Sequence, residues 1–234
     1  MSVNSDVGRD GLAVPPPDLL FLVAGTTDVP WFLDSGKLAF ESIRECLRRC
    51  GVPPDELRNV LDFGCGCGRV IRYWRRANQV RLFGTDYNSK LITWCKSNLP
   101  FATFSLNDFS PPLNYSDHEF DFVYALSVFT HLSERLQFAW MDELRRVIRP
   151  GGYLLITTHG NAYLDQLSLA EREEYQNNKL VVRHVESAGS NRCGAFHPEL
   201  YVRRELTAGF TLLDFIPEGA KGNPRQDLYL LKKK

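Results

Sequence analysis

Apolar residues along this chain follow two spacings that alternate from one segment to the next. Short apolar runs predict buried strands, and longer segments with apolar residues about three or four positions apart predict amphipathic helices. The clearest helix covers residues 133–148, where Leu136, Trp140, Leu144 and Val147 share one face. Strands are predicted at residues 59–63, 80–85, 101–106, 120–126 and 153–158, and the helices between them at residues 70–77, 89–98 and 133–148. This alternation predicts an α/β fold with a doubly wound, mostly parallel sheet.

The N-terminal part of the chain precedes this alternation. Residues 1–17 are polar, contain glycine and end in three prolines, which predicts a flexible arm. A helix is expected from residue 34 or 35 to residue 50. It falls within residues 18–58, which we expect to form a lid over a site.

The C-terminal part is less regular. Residues 160–197 have no clear periodicity and are interpreted as an insertion. A helix from Pro198 is followed by two strands, residues 210–215 and 228–231, that form an antiparallel pair at the sheet edge. The expected result is a seven-stranded Rossmann-like sheet with an antiparallel C-terminal strand, in a single domain of residues 18–234.

Three glycines at alternate positions follow the first strand. Gly64, Gly66 and Gly68 allow a strand to turn sharply into a helix, because glycine accepts positive φ and leaves the backbone open to a ligand. A glycine loop after a strand suits several nucleotide cofactors and does not choose among them. The spacing Gly-x-Gly-x-Gly differs, however, from the dinucleotide pattern Gly-x-Gly-x-x-Gly.

Acidic residues around this loop narrow the choice of cofactor. Asp62 precedes it, where a carboxylate can meet the amino group of a methionine-like tail and would repel a pyrophosphate. Asp86 ends the next strand, a position that suits hydrogen bonds to ribose hydroxyls. Asp108 follows the third strand, where it could contact an adenine edge, and Tyr87 and Phe109 could sandwich the purine. Each acid could instead be a turn residue or a helix cap.

In combination, these motifs resemble the class I S-adenosylmethionine-dependent methyltransferases. The resemblance rests on residues 60–68, 84–86, 107–108, 120–123 and 144–152. It implies that the methionine end of the cofactor lies near Asp62, Gly64 and Gly66. It places the ribose on Asp86 and the adenine beside Asp108. Further cofactor contacts are implied at the neighbouring positions Cys65, Gly68, Tyr87, Asn107, Phe109 and Leu126.

A looser resemblance concerns the acceptor. Residues 25–28 with Phe32 and Gly36 near the start, and Gln226-Asp227 near the end, look like bacterial small-molecule methyltransferases linked with sugar or surface-polysaccharide pathways. This implies O-methylation of a hydroxyl on a small, saccharide-like acceptor. The alternative is N-methylation of a small molecule or a protein.

Methylation of a hydroxyl needs a base, and histidine suits that role near neutral pH. Ligands of open α/β sheets bind beyond the carboxyl ends of the strands, which selects three histidines together with Arg225 and Gln226 in or beside the final loop. His131, between the fourth strand and its helix, is the first choice; His197 and His159 follow. His131 and His197 could instead cap or orient the helices that follow them. Trp31 and Tyr163 are candidates to line the acceptor pocket, although aromatic residues at such positions are more often part of the core.

The overall charge argues against nucleic acid as a partner. Lys plus Arg and Asp plus Glu both number 28, so the formal net charge is zero. A local group of arginines is interpreted as a solvated helix face; its members are Arg69, Arg72, Arg75, Arg76 and Arg81. The partner is therefore expected to be a small-molecule acceptor, and the sequence assigns no oligomeric state.

The cysteines and the apolar segments predict the compartment. The six cysteines lack metal-ligand spacing, so we expect no metal site and reduced thiols in the cytoplasm. No secretory leader is expected. The apolar run at residues 19–24 is too short to span a membrane.

Three other interpretations stay open. A nicotinamide-dependent oxidoreductase is disfavoured by Asp62, by the loop spacing and by the turn at residues 150–152. A non-catalytic cofactor-binding subunit is disfavoured by the intact loop and Asp86. Methylation of DNA is disfavoured because residues 125–129 lack the Asn/Asp-Pro-Pro-aromatic motif of amino-methylating DNA enzymes.

Overall fold

The structure, a computed structural model, describes residues 7–75, 80–222 and 225–234. Nine strands of these ranges form one sheet. The strands are β1 Asn59–Phe63, β2 Arg81–Asp86, β3 Thr103–Leu106, β4 Phe120–Ala125, β5 Ile148–His159, β6 Val181–Arg183, β7 Gly194–Phe196, β8 Phe210–Ile216 and β9 Gln226–Lys233. The helices are α1 Pro17–Ala24, α2 Val29–Arg49, α3 Ile71–Trp74, α4 Ser89–Asn98, α5 Glu134–Val147, α6 Leu169–Gln176 and α7 Glu199–Tyr201.

Seven of the strands form the sheet expected from the sequence. The strands β3, β2, β1, β4 and β5 lie side by side in that order and are parallel. β9 runs antiparallel beside β5, and β8 pairs antiparallel with β9. Among these seven, β9 alone therefore points the opposite way. The predicted doubly wound, mostly parallel sheet with an antiparallel C-terminal strand is confirmed.

Two further strands lie in the predicted insertion, and the count of seven misses them. β7 pairs in parallel with the end of β5 through His159 and Phe196, and β6 pairs antiparallel with β7. Each has three residues, which is too short to produce a recognisable alternation. They extend the sheet on the side where β5 ends.

Helix α2 begins earlier than the sequence predicts. Asp28 is its N-cap and accepts a hydrogen bond from the Trp31 N–H at 3.1 Å. Pro30 lies in the first turn, where a missing N–H costs nothing. The predicted start at residue 34 or 35 was wrong because these two signals lie upstream of the apolar periodicity. No helix in the described ranges is long and apolar enough to cross a membrane.

The N-terminal segment is held against the domain from residue 7 onward, whereas the sequence predicts a flexible arm up to residue 17. Val7 bridges Ala13, and the Asp10 carboxylate pairs with the buried Arg72. Residues 1–6 of the predicted arm lie outside the described residues. Arg69 and Arg72 are buried, so the predicted solvated arginine face is wrong for both; Arg76 lies outside the described residues.

Apolar side chains fill the space on both faces of the sheet. Along β4, Phe122 and Tyr124 pack with α2, α3 and α4, and Val123 and Ala125 pack with α5. This alternation buries both sides of the strand, as expected for a parallel sheet covered by helices. The strand ends, and the loops that follow them, are thereby held in fixed positions.

Candidate active site

A cavity of about 640 Å³ opens at the carboxyl ends of β1, β2, β3 and β4. This is the edge at which ligands of open α/β sheets bind. The loop after β1 forms its floor, residues 21–25 of α1 and its C-cap form one wall, and residues 189–192 lie across it. Residues 21–25 and Trp31, which fall within the predicted lid at residues 18–58, line this cavity.

The glycine loop requires its glycines for two reasons. Gly64, Gly66 and Gly68 have φ of 76°, 55° and 77°, which other residues rarely adopt. A Cβ at Gly64 would lie 2.4 Å from Val128, and a Cβ at Gly66 would lie 2.8 Å from Val23. Gly64 and Gly66 line the cavity together with Cys65, while Gly68 is not among the lining residues.

Gly68 has a packing role beneath the loop. A Cβ at Gly68 would lie 2.4 Å from Leu99, so its missing side chain lets α4 approach. The sequence implied a cofactor contact at this position, and the structure places it under the loop instead.

Asp86 lies where β2 ends and faces the cavity. Its Oδ2 accepts a hydrogen bond from the Gly66 N–H at 3.0 Å, and its Oδ1 accepts one from the Asn88 N–H at 2.8 Å. Burial raises the pKa of this carboxyl, and the backbone donors oppose that shift. Each oxygen retains a lone pair that can accept from a ligand hydroxyl.

Asp62 precedes the glycine loop, and Arg69 directly follows it. These two side chains of opposite charge are buried and line the cavity. Burial raises the pKa of Asp62 to about 7, and the positive charge of Arg69 opposes the shift. Arg69 Nη1 donates to Ser35 Oγ at 3.2 Å and to the Gly222 carbonyl at 3.3 Å. Such a pair is complementary to the ammonium and carboxylate of an amino acid.

The other predicted cofactor contacts differ in placement. Tyr87, Asn107, Phe109 and Leu126 line the cavity, whereas Asp108 is exposed and does not. The rings of Tyr87 and Phe109 pack edge to face, with centroids 5.9 Å apart. In this structure they contact each other and leave no slot between them for a purine. The Tyr87 hydroxyl donates to the Gly189 carbonyl at 2.6 Å.

His131 is the one of the three candidate histidines that lines the cavity. Its Nδ1 lies 2.8 Å from the Cys193 carbonyl oxygen. Because a carbonyl only accepts, Nδ1 carries the proton and Nε2 carries a free lone pair. Burial lowers the pKa of His131, so the neutral ring is favoured near pH 7. This ring can accept a proton from a ligand.

The structure places His197 and His159 outside the cavity lining. His197 is fully buried, donates from Nε2 to Gln137 Oε1 at 3.0 Å, and has a pKa lowered to about 3 by burial. It therefore links β7 to α5 as a structural residue. His159 stacks on Tyr163 with ring centroids 4.1 Å apart, and burial lowers its pKa to about 4.

The sequence interpretation missed several residues that line the cavity. Arg69 was included in a solvated face although it directly follows the glycine loop, which was the available signal. The cover at residues 189–192 lies in a Gly/Ser/Asn-rich segment without periodicity. Its Gly189 N–H donates to the His131 carbonyl at 2.7 Å, and Asn191 Nδ2 donates to the Leu22 carbonyl at 3.4 Å. Among the described residues, no group of three His, Cys, Asp or Glu could hold a metal.

Comparison with known proteins agrees with this geometry. A family model described as a methyltransferase domain matches residues 61–156. Residues 61–156 of this chain are therefore similar to a methyltransferase domain. The matched residues run from β1 to β5 and include the glycine loop, Asp86 and His131.

Curated relatives of this domain are methyltransferases. The chain is 29% identical over 135 residues to the mitochondrial ubiquinone biosynthesis O-methyltransferase of Dictyostelium discoideum, covering 52% of this chain and 41% of the relative. It is 34% identical over 105 residues to the fatty-acid O-methyltransferase of Mycolicibacterium smegmatis, covering 44% and 37% respectively. The chain spans about two fifths of the length of these two relatives.

Solved structures share the fold. An S-adenosylmethionine-dependent methyltransferase from Methanosarcina mazei superposes with a TM-score of 0.56 at 21% identity, covering 75% of this chain and 92% of its own. That protein is named for its dependence on S-adenosylmethionine. The residues present fit this group, because one cavity contains a glycine-lined floor, a buried strand-end carboxylate and a pair of opposite charges.

Proposed function

We propose that this protein is an S-adenosylmethionine-dependent O-methyltransferase of a small molecule. The observation that carries the proposal is His131, whose Nδ1 faces the Cys193 carbonyl and whose ring lies in the same cavity as the glycine loop and Asp86. A neutral imidazole in the cofactor cavity serves an acceptor that must lose a proton, as a hydroxyl does.

In this proposal the two ends of the cavity floor bind the two ends of the cofactor. Asp62 pairs with the ammonium group and Arg69 with the carboxylate of the methionine part, as their opposite charges and burial support. Asp86 accepts hydrogen bonds from the ribose hydroxyls. Asn107 and Leu126 border the adenine, with Tyr87, Cys65 and Phe109 around them; Asp108 takes no part.

The protein positions the acceptor, excludes water from the cavity and provides a group that accepts a proton. When bound, the cofactor supplies a methyl group on a sulfonium, which is already activated for displacement. His131 Nε2 accepts the proton of the acceptor hydroxyl, and the Cys193 carbonyl stabilises the imidazolium through Nδ1–H. The cover at residues 189–192 and helix α1 exclude water, so that the lid at residues 18–58 and the insertion at 160–197 act on one site.

The acceptor end of the cavity is rich in apolar surface. Trp31, Val128, Leu132 and Trp140 line it together with His131. This supports an acceptor that presents a flat or apolar face beside its hydroxyl. The two curated relatives are named as O-methyltransferases, which supports oxygen as the atom that is methylated. A saccharide-like acceptor stays a prediction, as does the exclusion of nucleic acid.

The predicted cytoplasmic location is part of the proposal. All six cysteines are unpaired thiols. Unpaired thiols are typical of a reducing compartment, where disulfides do not persist.

The test is methyl transfer from radiolabelled S-adenosylmethionine to a panel of sugars, phenols, hydroxy acids, fatty acids and amines. We expect binding of the cofactor and transfer to an oxygen, with transfer reduced in His131→Gln. Transfer to amines alone would replace O-methylation by N-methylation. Binding without transfer to any acceptor would indicate a non-catalytic subunit. Binding of NAD(H) without S-adenosylmethionine would overturn the proposal.

A further inference from the structure

A closed ring of hydrogen bonds joins the carboxyl end of β4 to β5 and β9. The Ser127 N–H donates to Thr157 Oγ1 at 2.8 Å, and Thr157 Oγ1 donates to Gln226 Oε1 at 2.7 Å. Gln226 Nε2 donates to Ser127 Oγ at 2.6 Å, which closes the ring. Thr157 and Gln226 are buried, and Ser127 lines the cavity.

The hydrogen bonds of this ring follow one another around it. The Ser127 backbone N–H only donates, so Thr157 Oγ1 accepts from it, and the single proton of that hydroxyl is directed at Gln226 Oε1. Gln226 thereby presents its oxygen to Thr157 and its amino group to Ser127. A buried ring in which each of these side chains has a partner holds its members in one arrangement.

Ser127 needs such support because its backbone is strained. Its φ is 58°, in the left-handed region that residues with a Cβ rarely adopt. Strained conformations persist where the surroundings hold them, and they concentrate at functional sites. The ring holds Ser127 through both its N–H and its Oγ, so Gln226 and Thr157 stabilise this conformation.

The conformation of Ser127 determines where His131 lies. Thr130 Oγ1 donates to the Ser127 carbonyl at 2.8 Å, and the His131 N–H donates to the Val128 carbonyl at 3.0 Å. Residues 127–131 therefore form one hydrogen-bonded turn that starts at the ring and ends at the histidine. A change of φ at Ser127 would move the imidazole relative to the cavity.

We propose that Gln226 and Thr157 are positioning residues, which hold His131 against the acceptor through the left-handed turn at Ser127. The inference rests on the proposed methyl transfer with His131 as base. It assigns a role in the reaction to a glutamine on β9, 95 positions away along the chain and far outside the matched methyltransferase segment.

The first test compares Gln226→Met and Thr157→Val with the matched control Gln176→Met, which makes the same change on the exposed end of α6. With the acceptor found in the panel, we expect kcat to fall about 100-fold in the first two variants, since small displacements of a catalytic group have effects of this size. The affinity for S-adenosylhomocysteine, measured by calorimetry, should stay at the wild-type value. Gln176→Met should match the wild type in both.

Two conservative changes separate positioning from general destabilisation. Thr157→Ser keeps the hydroxyl and should retain far more turnover than Thr157→Val. Ser127→Gly introduced into Gln226→Met should recover turnover, because glycine adopts positive φ without support, whereas Ser127→Ala should not. Equal losses in Thr157→Ser and Thr157→Val, or no recovery with glycine, would overturn the proposal.

A double-mutant cycle tests whether Gln226 acts through His131. If it does, Gln226→Met should have little further effect on kcat in a His131→Gln background. Multiplicative losses in the double variant would contradict the inference and leave the proposed function intact. A His131→Gln variant with wild-type turnover would instead contradict the proposed function itself.

Discussion

Asp10 and Arg72 form an ion pair that is almost completely withdrawn from water. Arg72 Nε lies 2.5 Å from Asp10 Oδ2, and the two side chains are 0% and 11% exposed. Arg72 also donates from Nη2 to the Ala13 carbonyl at 3.0 Å. The pair attaches the segment before α1 to α3, the helix that directly follows the glycine loop.

Removal of this pair should destabilise the protein strongly. Asp10→Asn leaves a buried guanidinium without a compensating charge, which typically costs about 3–5 kcal/mol. The free energy of unfolding, measured by urea denaturation, should fall by an amount in this range. The matched control is Asp34→Asn, whose partner Arg9 forms an exposed pair, with side chains 57% and 56% exposed, that should contribute only about 0–1 kcal/mol. Equal losses in the two variants would show that Asp10 is no more important than a surface acid.

The cofactor proposal predicts a sharp difference between two strand-end acids. Asp86→Asn removes a buried charge that holds the Gly66 and Asn88 amides and faces the cavity. Loss of charged hydrogen bonds of this kind costs about 1.5–3 kcal/mol each, so affinity for S-adenosylhomocysteine should fall by at least about tenfold. Asp108→Asn, the control outside the cavity, should bind normally. A larger loss in Asp108→Asn than in Asp86→Asn would restore the adenine contact implied by the sequence.

The sequence predicted those elements whose signals are local. β1 and α4 match the predicted residues 59–63 and 89–98 at both ends, because apolar runs, glycines and the Asn88 cap mark them directly. The glycine loop and Asp86 were found for the same reason: each is defined by its distance from a strand end.

Elsewhere the sequence prediction failed because the deciding contacts join residues that are far apart along the chain. Nothing near Arg72 in sequence indicates that a carboxylate 62 positions earlier will bury it. The base also could not be chosen by topology alone, since His131 and His197 both follow strands at the same edge. What separates them is the surroundings: Gln137 from α5 accepts a hydrogen bond from His197 in the core, and the Cys193 carbonyl orients His131 in the cavity.

The raised pKa of Asp62 predicts that cofactor binding depends on pH. Burial holds Asp62 protonated up to a pKa of about 7, whereas an ammonium group prefers the carboxylate. Affinity for S-adenosylhomocysteine should therefore decrease as pH falls below about 7, and binding there should release a proton. Calorimetry in buffers of different ionisation enthalpy measures this release.

The variant Asp62→Asn identifies the source of that dependence. It should bind more weakly at pH 8 and lose most of the change between pH 8 and pH 6. Any pH dependence that persists in this variant is assigned to Asp86, because burial also raises the pKa of that carboxyl. Binding of the wild type with no pH dependence in this range would contradict the pairing of Asp62 with the ammonium group.

His197 should contribute to acid sensitivity of the fold. Its pKa is lowered to about 3 in the folded protein and is about 6.5 when unfolded, so the folded state binds fewer protons. Its contribution is present above pH 6.5 and is lost as pH falls below that value, by roughly 2 kcal/mol at pH 5. His197→Leu should be less stable at pH 7, because Gln137 loses its partner, but should lose less stability on acidification. Urea denaturation at both pH values tests this, with the exposed His184→Gln as control; an unchanged pH slope in His197→Leu would contradict it.

The pH dependence of turnover tests His131 itself. Because burial lowers the pKa of His131, the proton-accepting form predominates at neutral pH, and kcat/KM should rise with pH through a pKa below 6.5 and then level off. His131→Gln should lower kcat by about 100-fold or more and abolish this rise of kcat/KM with pH, while S-adenosylhomocysteine still binds. His184→Gln changes an exposed histidine of the insertion and should keep the wild-type profile. If the rise of kcat/KM with pH persists in His131→Gln, another group is responsible for it. The neighbouring candidate is His159, whose ring centroid lies 6.4 Å from that of His131.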